Sequence, residues 1–213
     1  MNCTCFFRRG KSRYLGEHLQ LETGRLYYRS DQLHIDNIGT QRLRTVMNKR
    51  LAKIYKPGIV KFSLNIWPPF WGAGIKILHI SGDFRTVKVR LKLRWWNKNA
   101  NRTQYGGSIF SLTDPIYSLM LMGILREEYY VWDKEASINF IKPGQSDLFA
   151  EFEVTDGMLD DIYQMTRNGE KCFPEFITHV KDKEGNVVSE VQRKLYVRKK
   201  PQYREEEIAT EIS

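Results

Sequence analysis

Cysteine and histidine are scarce in this chain, and those present are badly spaced for chemistry. The 213 residues hold three cysteines and four histidines. Cys3 and Cys5 stand too close for an ordinary disulfide, Cys172 lies in a strand-like run, and His18, His34, His79 and His179 are scattered. That pattern offers no zinc-ligand spacing, no disulfide framework and no readable Ser-His-Asp or Cys-His constellation. No metal is expected. A long apolar run is missing too. The best stretch, residues 108–125, is interrupted by Asp114 and Pro115, and it lacks on one side the basic flank that a membrane span carries. The opening MNCTCFFRRGKSRY has no apolar secretory core. These absences lead to the expectation of a cytoplasmic protein without a transmembrane segment. Acid is the last shortage: 25 Asp and Glu against 34 Lys and Arg leave a formal charge of +9. Such a balance favours an anionic partner, whether nucleic acid, a membrane surface or a phosphate-bearing small molecule.

What is present reads as a folded chain. Hydrophobic residues at 41% and charged residues at 28% exclude wholesale disorder, and the length suits one sizeable core. We expect residues 1–46 to be a flexible N-terminal extension or to follow from a start site assigned too early, residues 47–199 to be the domain, and residues 200–213 to be a solvated tail. Residues 1–46 hold eight Lys and Arg against four Asp and Glu, so part of the basicity lies outside the domain. There is no internal repeat.

Periodicity supplies the elements. In residues 40–55, Leu43, Val46, Met47, Leu51 and Ile54 recur at helical spacing, which predicts an amphipathic helix ended by Pro57-Gly58. The run NIWPPFWGAGI predicts a rigid aromatic loop. Strands are expected over residues 75–80 and 87–95. In the second, Val87, Val89, Leu91 and Leu93 alternate with Lys88, Arg90, Lys92 and Arg94, which reads either as a charged, solvated edge strand or as a phosphate-contacting stripe. Further strands are expected over residues 129–132, 135–140, 147–155, 172–180 and 187–197, with a turn at residues 142–145. A short helix over residues 158–166 would be capped by Thr155-Asp156, and the last two strands would form a hairpin with Gly185 left-handed in the turn DKEGN.

The stretch NRTQYGGSIFSLTDPIYSLMLMGIL, residues 101–125, organises the rest. It joins the pair Gly106-Gly107 to a helix-like apolar run that carries one acid, Asp114. An ionised carboxylate in apolar surroundings costs several kcal/mol, roughly, unless it finds partners or water. Asp114 with Pro115 can cap a second helical segment, with Pro115 at its first position, or the proline can kink the helix and open a polar space around the carboxylate. Glycines at a helix start let a ligand approach the free backbone N–H groups.

With Asp114 seven positions after Gly107, and with RLKLRWWNKN before and VWDKEASINFIKPG and KDKEGNVVSEVQRKLYVRKK after, the chain resembles the hotdog-fold acyl-CoA thioesterases from about residue 68 to 199. More narrowly it is similar to an uncharacterised, thioesterase-like branch of that superfamily. The resemblance implies an α+β fold, a curved antiparallel sheet wrapped around one long central helix. It implies a homodimer or dimer of dimers with acyl-CoA as substrate and no separate cofactor. By the same resemblance, the N–H of Gly107, with Gly106, would polarise the thioester carbonyl, and Asp114 would act as general base or nucleophile. Gln104 stands near the place where relatives carry a histidine. It can orient water or a carbonyl but cannot exchange a proton near neutral pH. Asn99, Asn101, Arg102, Tyr105 and Ser108 are the substrate-binding candidates, with Arg102 and the basic strand facing the coenzyme A phosphates. The alternatives are an acyl- or lipid-binding hotdog protein without turnover, and a nucleic-acid or anionic-membrane binding module suggested by the charge and by Trp95-Trp96. The first reading expects no DNA partner.

Overall fold

A computed structural model describes residues 55–204. Their frame is one antiparallel sheet of seven strands: β1 (Ile75–Ile80), β2 (Thr86–Leu91), β3 (Tyr129–Phe140), β4 (Leu148–Glu153), β5 (Lys171–Cys172), β6 (Glu175–Asp182) and β7 (Val187–Lys199). The order across the sheet is β1-β2-β4-β6-β7-β3, and β5 pairs with β7. Alternation dictates which face each strand buries. Val87, Val89 and Leu91 of β2, Leu148, Ala150 and Phe152 of β4, and Val191, Leu195 and Val197 of β7 are all buried, at the period of two that strands impose.

That buried face packs on a central helical segment, Gly106–Glu128, of 23 residues. It has two parts, α3 (Gly106–Ser111) and α4 (Ile116–Leu125), separated by a turn in which the Asp114-Pro115 peptide bond is cis. By length and composition the segment is apolar enough to cross a membrane. Here Ile116, Tyr117, Met120, Leu121 and Leu125 are buried core residues, so its apolarity is used against the sheet. Tyr117 stacks on Phe176 with ring centroids 4.1 Å apart and meets Phe152 edge-on at 5.3 Å; desolvation raises its phenol pKa. Gly123 has a steric reason. A Cβ there would stand 2.4 Å from the Phe84 ring, which lies across the helix and stacks on Tyr55. The result is the hotdog fold, α+β, one long helix with an antiparallel sheet around it.

Several expectations change. The expected helix over residues 40–55 lies outside the described residues except for Tyr55, and Pro57-Gly58 opens a helix instead of ending one. That helix is α1 (Pro57–Ile66), and the aromatic run expected as a loop closes it and forms α2 (Pro68–Ala73). Proline in the first turn loses no hydrogen bond, because N–H groups there have no partner within the helix. Gly74, left-handed at φ 83°, ends α2. Strand β2 stops at Leu91 because Leu93 N–H donates to Asp147 Oδ1. It lies between β1 and β4, so it is no edge strand, and Lys88 pairs with Glu151 at 2.8 Å, interrupting the expected basic stripe. Residues 129–140 form one strand with a bulge between Asp133 and Glu135. The strand expected from Cys172 is divided into β5 and β6 around Phe173-Pro174. Helix α5 (Asp156–Thr166) starts two residues early, with Thr155 Oγ1 accepting from Met158 N–H as a cap. The hairpin turn stands as expected, with Gly185 at φ 88°.

Candidate active site

The break in the central helix is where the polar chemistry collects. Strand β7 puts Val191, Arg193, Leu195 and Val197 on its buried face, so one arginine points into an apolar layer. Arg193 is 4% exposed and every direction of its guanidinium is used. Nε and Nη2 donate to Thr113 Oγ1 at 3.3 and 3.1 Å, Nη2 also reaches Phe110 O at 3.4 Å, and Nη1 donates to Asp114 Oδ1 at 3.0 Å. Its Cζ lies 4.7 Å from the centre of the Phe110 ring. Asp133, from β3, approaches Nη1 at 3.6 Å and accepts from Ser118 Oγ at 2.5 Å. A buried cation with this many partners escapes the desolvation penalty of a lone one.

Asp114 differs from the rest of the cluster because its side chain is 54% exposed. Helix α4 begins at Ile116, Pro115 is its N-cap, and no side chain caps it. The capping role weighed for Asp114 is therefore not the one it plays. It is a carboxylate held toward solvent by a buried guanidinium, near Asp133 of β3, one of the two margin strands of the sheet.

The glycine pair lies at the other end of α3. Tyr105 O accepts from Ser108 and Ile109 N–H, while the N–H groups of Gly106 and Gly107 have no acceptor among the described residues. Both glycines sit under aromatic rings: a Cβ on Gly106 would stand 3.0 Å from Phe140, and one on Gly107 2.4 Å from Tyr105. Tyr105 and Phe140 are themselves exposed, and Ser108 is buried. Gln104 is buried as well. Its Nε2 donates to Leu91 O and Ser146 O, its backbone N–H donates to Gly144 O, and its Oε1 is enclosed without a partner. Asn99 accepts from the N–H groups of Asn101 and Thr103 and donates to Thr103 Oγ1 and Gln104 O, which makes it the organiser of this loop. Asn101 and Arg102 are exposed on it, Arg102 at φ 60°.

The structure thus brings Gln104, Tyr105, Gly106 and Gly107 together and places Asp114 with a different set, Thr113, Ser118, Asp133 and Arg193. Sequence reasoning missed those four. The one readable signal was an arginine at a position whose strand neighbours two residues away are Val191 and Leu195. Cys172 is buried, its thiol pKa is raised by desolvation, and it takes no part. A small apolar cavity between α1, β1 and α4, lined by residues such as Val60, Ile77 and Met120, has a volume of about 10 Å3, the room of a single water.

Residues 58–197 match the family described as a domain of unknown function, DUF4442. The chain belongs to the DUF4442 family. No curated protein matches it. Among solved structures, this DUF4442 domain is similar to a Pseudomonas aeruginosa protein of unknown function described as a probable thioesterase, with 18% identity over 68% of this chain and 99% of that one and a TM-score of 0.59. A Chlorobaculum tepidum protein of unknown function has 15% identity over 70% and 99% of the two chains, with a TM-score of 0.55. A Haemophilus influenzae thioesterase has 16% identity over 64% and 87%, with a TM-score of 0.50. At these identities the likeness is one of fold: the DUF4442 domain has the fold of hotdog thioesterases.

Proposed function

We propose that this chain is a thioester hydrolase acting on acyl-CoA, with Asp114 as the group that activates water. The carrying observation is the half-exposed carboxylate of Asp114, fixed by the buried Arg193 at the break of an otherwise apolar helix. Fixed and solvent-facing, such a group can take a proton from an attacking water without first reorganising. The unpartnered N–H groups of Gly106 and Gly107 supply the second requirement, donors for the oxyanion that forms when water adds to the thioester carbonyl.

The two poles do not fit one chain alone. Gly107 lies at the start of α3 and Asp114 beyond its end, each in a different hydrogen-bonded set, whereas attack needs base and oxyanion donors each within about 3 Å of the groups they serve. We therefore propose a dimer in which one copy contributes the glycine pair and the other Asp114, the copies meeting along β3. That strand is twelve residues long, and its outer edge has no partner strand among the described residues. Exposed Arg102 at the glycine end is the natural contact for coenzyme A phosphates. Light scattering that returned a monomer at micromolar concentration would remove the shared site.

The decisive experiment is hydrolysis of a panel of acyl-CoAs by the wild type and Asp114→Asn. The substitution keeps the shape of the side chain and removes the base, and kcat should fall by at least about a hundredfold; an unchanged rate sinks the assignment. The burial of Gln104 favours one other reading, an acyl-binding protein without turnover, because among the described residues no histidine or carboxylate is placed beside the glycine pair, only the Tyr105 and Phe140 rings. Saturable acyl-CoA binding by a wild type that hydrolyses none of the panel would establish it.

A further inference from the structure

Helix α1 is apolar on two faces. Val60 is buried and Leu64 packs against the core, as a surface helix requires, yet Lys61 and Asn65 also spend their polar groups on the protein. Asn65 donates from Nδ2 to Ile77 O at 3.1 Å and accepts from Ile77 N–H at 2.7 Å, and Lys61 Nζ donates to Leu78 O at 2.6 Å. Facing outward instead are Ile59, Phe62 and Ile66, which are 42%, 65% and 61% exposed and lie on one stripe at positions i, i+3 and i+7. Trp67 and Trp71 continue the run, the latter 69% exposed. A second aromatic pair is fastened to it. Trp96 Nε1 donates to Gly72 O at 3.1 Å, Trp95 packs edge-on against Trp96 with centroids 5.5 Å apart, and Trp95 is 83% exposed. Neither the family nor the proposed hydrolysis calls for four tryptophans displayed this way.

The stretch that displays them is basic. Between Tyr55 and Thr113 the chain carries a single acid, Asp83, and ten Lys and Arg, three before that acid and seven after it. Among the described residues Lys56, Lys61, Lys76 and Arg94 make no ion pair, and Arg94 lies over the Trp96 ring at 4.9 Å. Unneutralised bases beside exposed tryptophans and an outward aliphatic stripe match the chemistry of an anionic bilayer surface. Lipid headgroups take the charge, and the headgroup–acyl boundary takes indole rings and short aliphatic side chains. Nucleic acid would use the aromatics and the charge but has no place for Ile59, Phe62 and Ile66.

We propose that α1, α2 and the Trp95-Trp96 pair form an interfacial docking surface for anionic membranes, an inference independent of the hydrolase reading. The test is co-sedimentation of the full chain with phosphatidylcholine vesicles, with and without phosphatidylglycerol, read together with quenching of tryptophan fluorescence by brominated lipid. The expected result is binding that needs phosphatidylglycerol and is quenched. Trp71→Ser with Trp95→Ser should weaken it at least about tenfold, and Lys56→Glu or Lys76→Glu about fivefold or more each. All these side chains are exposed, so circular dichroism and thermal unfolding should match the wild type and separate lost docking from lost folding. Four results overturn the proposal: no sedimentation with anionic vesicles, sedimentation that the tryptophan changes leave intact, binding to single-stranded oligonucleotide in preference to vesicles, or dissociation of an oligomer by the tryptophan changes, which would make this face a contact between copies.

Discussion

Gln104 and Arg193 are both polar side chains sealed into the domain, 2% and 4% exposed, yet they use their hydrogen bonds to opposite ends. Gln104 gives both amide protons to backbone carbonyls, Leu91 O and Ser146 O, and so fastens the loop before the helix to the strands beside it. Arg193 gives one of its nitrogens to Asp114, a carboxylate that still meets solvent. One residue closes a structure and the other holds toward solvent the carboxylate proposed to activate water. Burial alone, then, does not separate a structural polar residue from one that serves a site; the exposure of its partner does.

Arg193→Met is the harder way to break that contrast. It preserves much of the volume, but it removes every donor to Thr113, Phe110 and Asp114 and leaves Asp133 without its cation. A loss of about 3 kcal/mol in denaturant unfolding is expected. Where protein still folds, the hydrolytic rate should fall with it, because Asp114 is no longer held. Gln104→Ala should be milder. It strands two carbonyl acceptors at a cost of about 1–3 kcal/mol, and kcat of the folded fraction should stay near wild type. A large kcat loss with unchanged stability would reverse the roles given to the two residues.

The sequence made the sheet readable wherever one face is buried, because alternation in β2, β4 and β7 records that burial directly. The bulge in β3 was invisible to it, since it depends on pairing across the sheet, whereas the break before β6 had a local signal in Pro174, which has no N–H to give to a ladder. Proline misled at α1 and α2 for a local reason: a residue that breaks helices from inside also begins them. At the candidate site, Asp114 and the glycines stand out within one continuous stretch. Arg193 lies 79 residues further on, and only folding brings it to Asp114. A charged residue on the buried face of a strand is nonetheless a readable anomaly, and it points to a partner on the helix that face covers.

Asn65 has a consequence at the scale of assemblies. By bonding both the N–H and the C=O of Ile77 on β1, it plugs one margin of the sheet with a side chain, while the margin at β3 has no partner strand among the described residues. A sheet with two open margins can add copies without limit and grow into fibres. With one margin stoppered, the proposed pairing along β3 would use up the one place for a strand to join, and strand-to-strand growth would end at the pair.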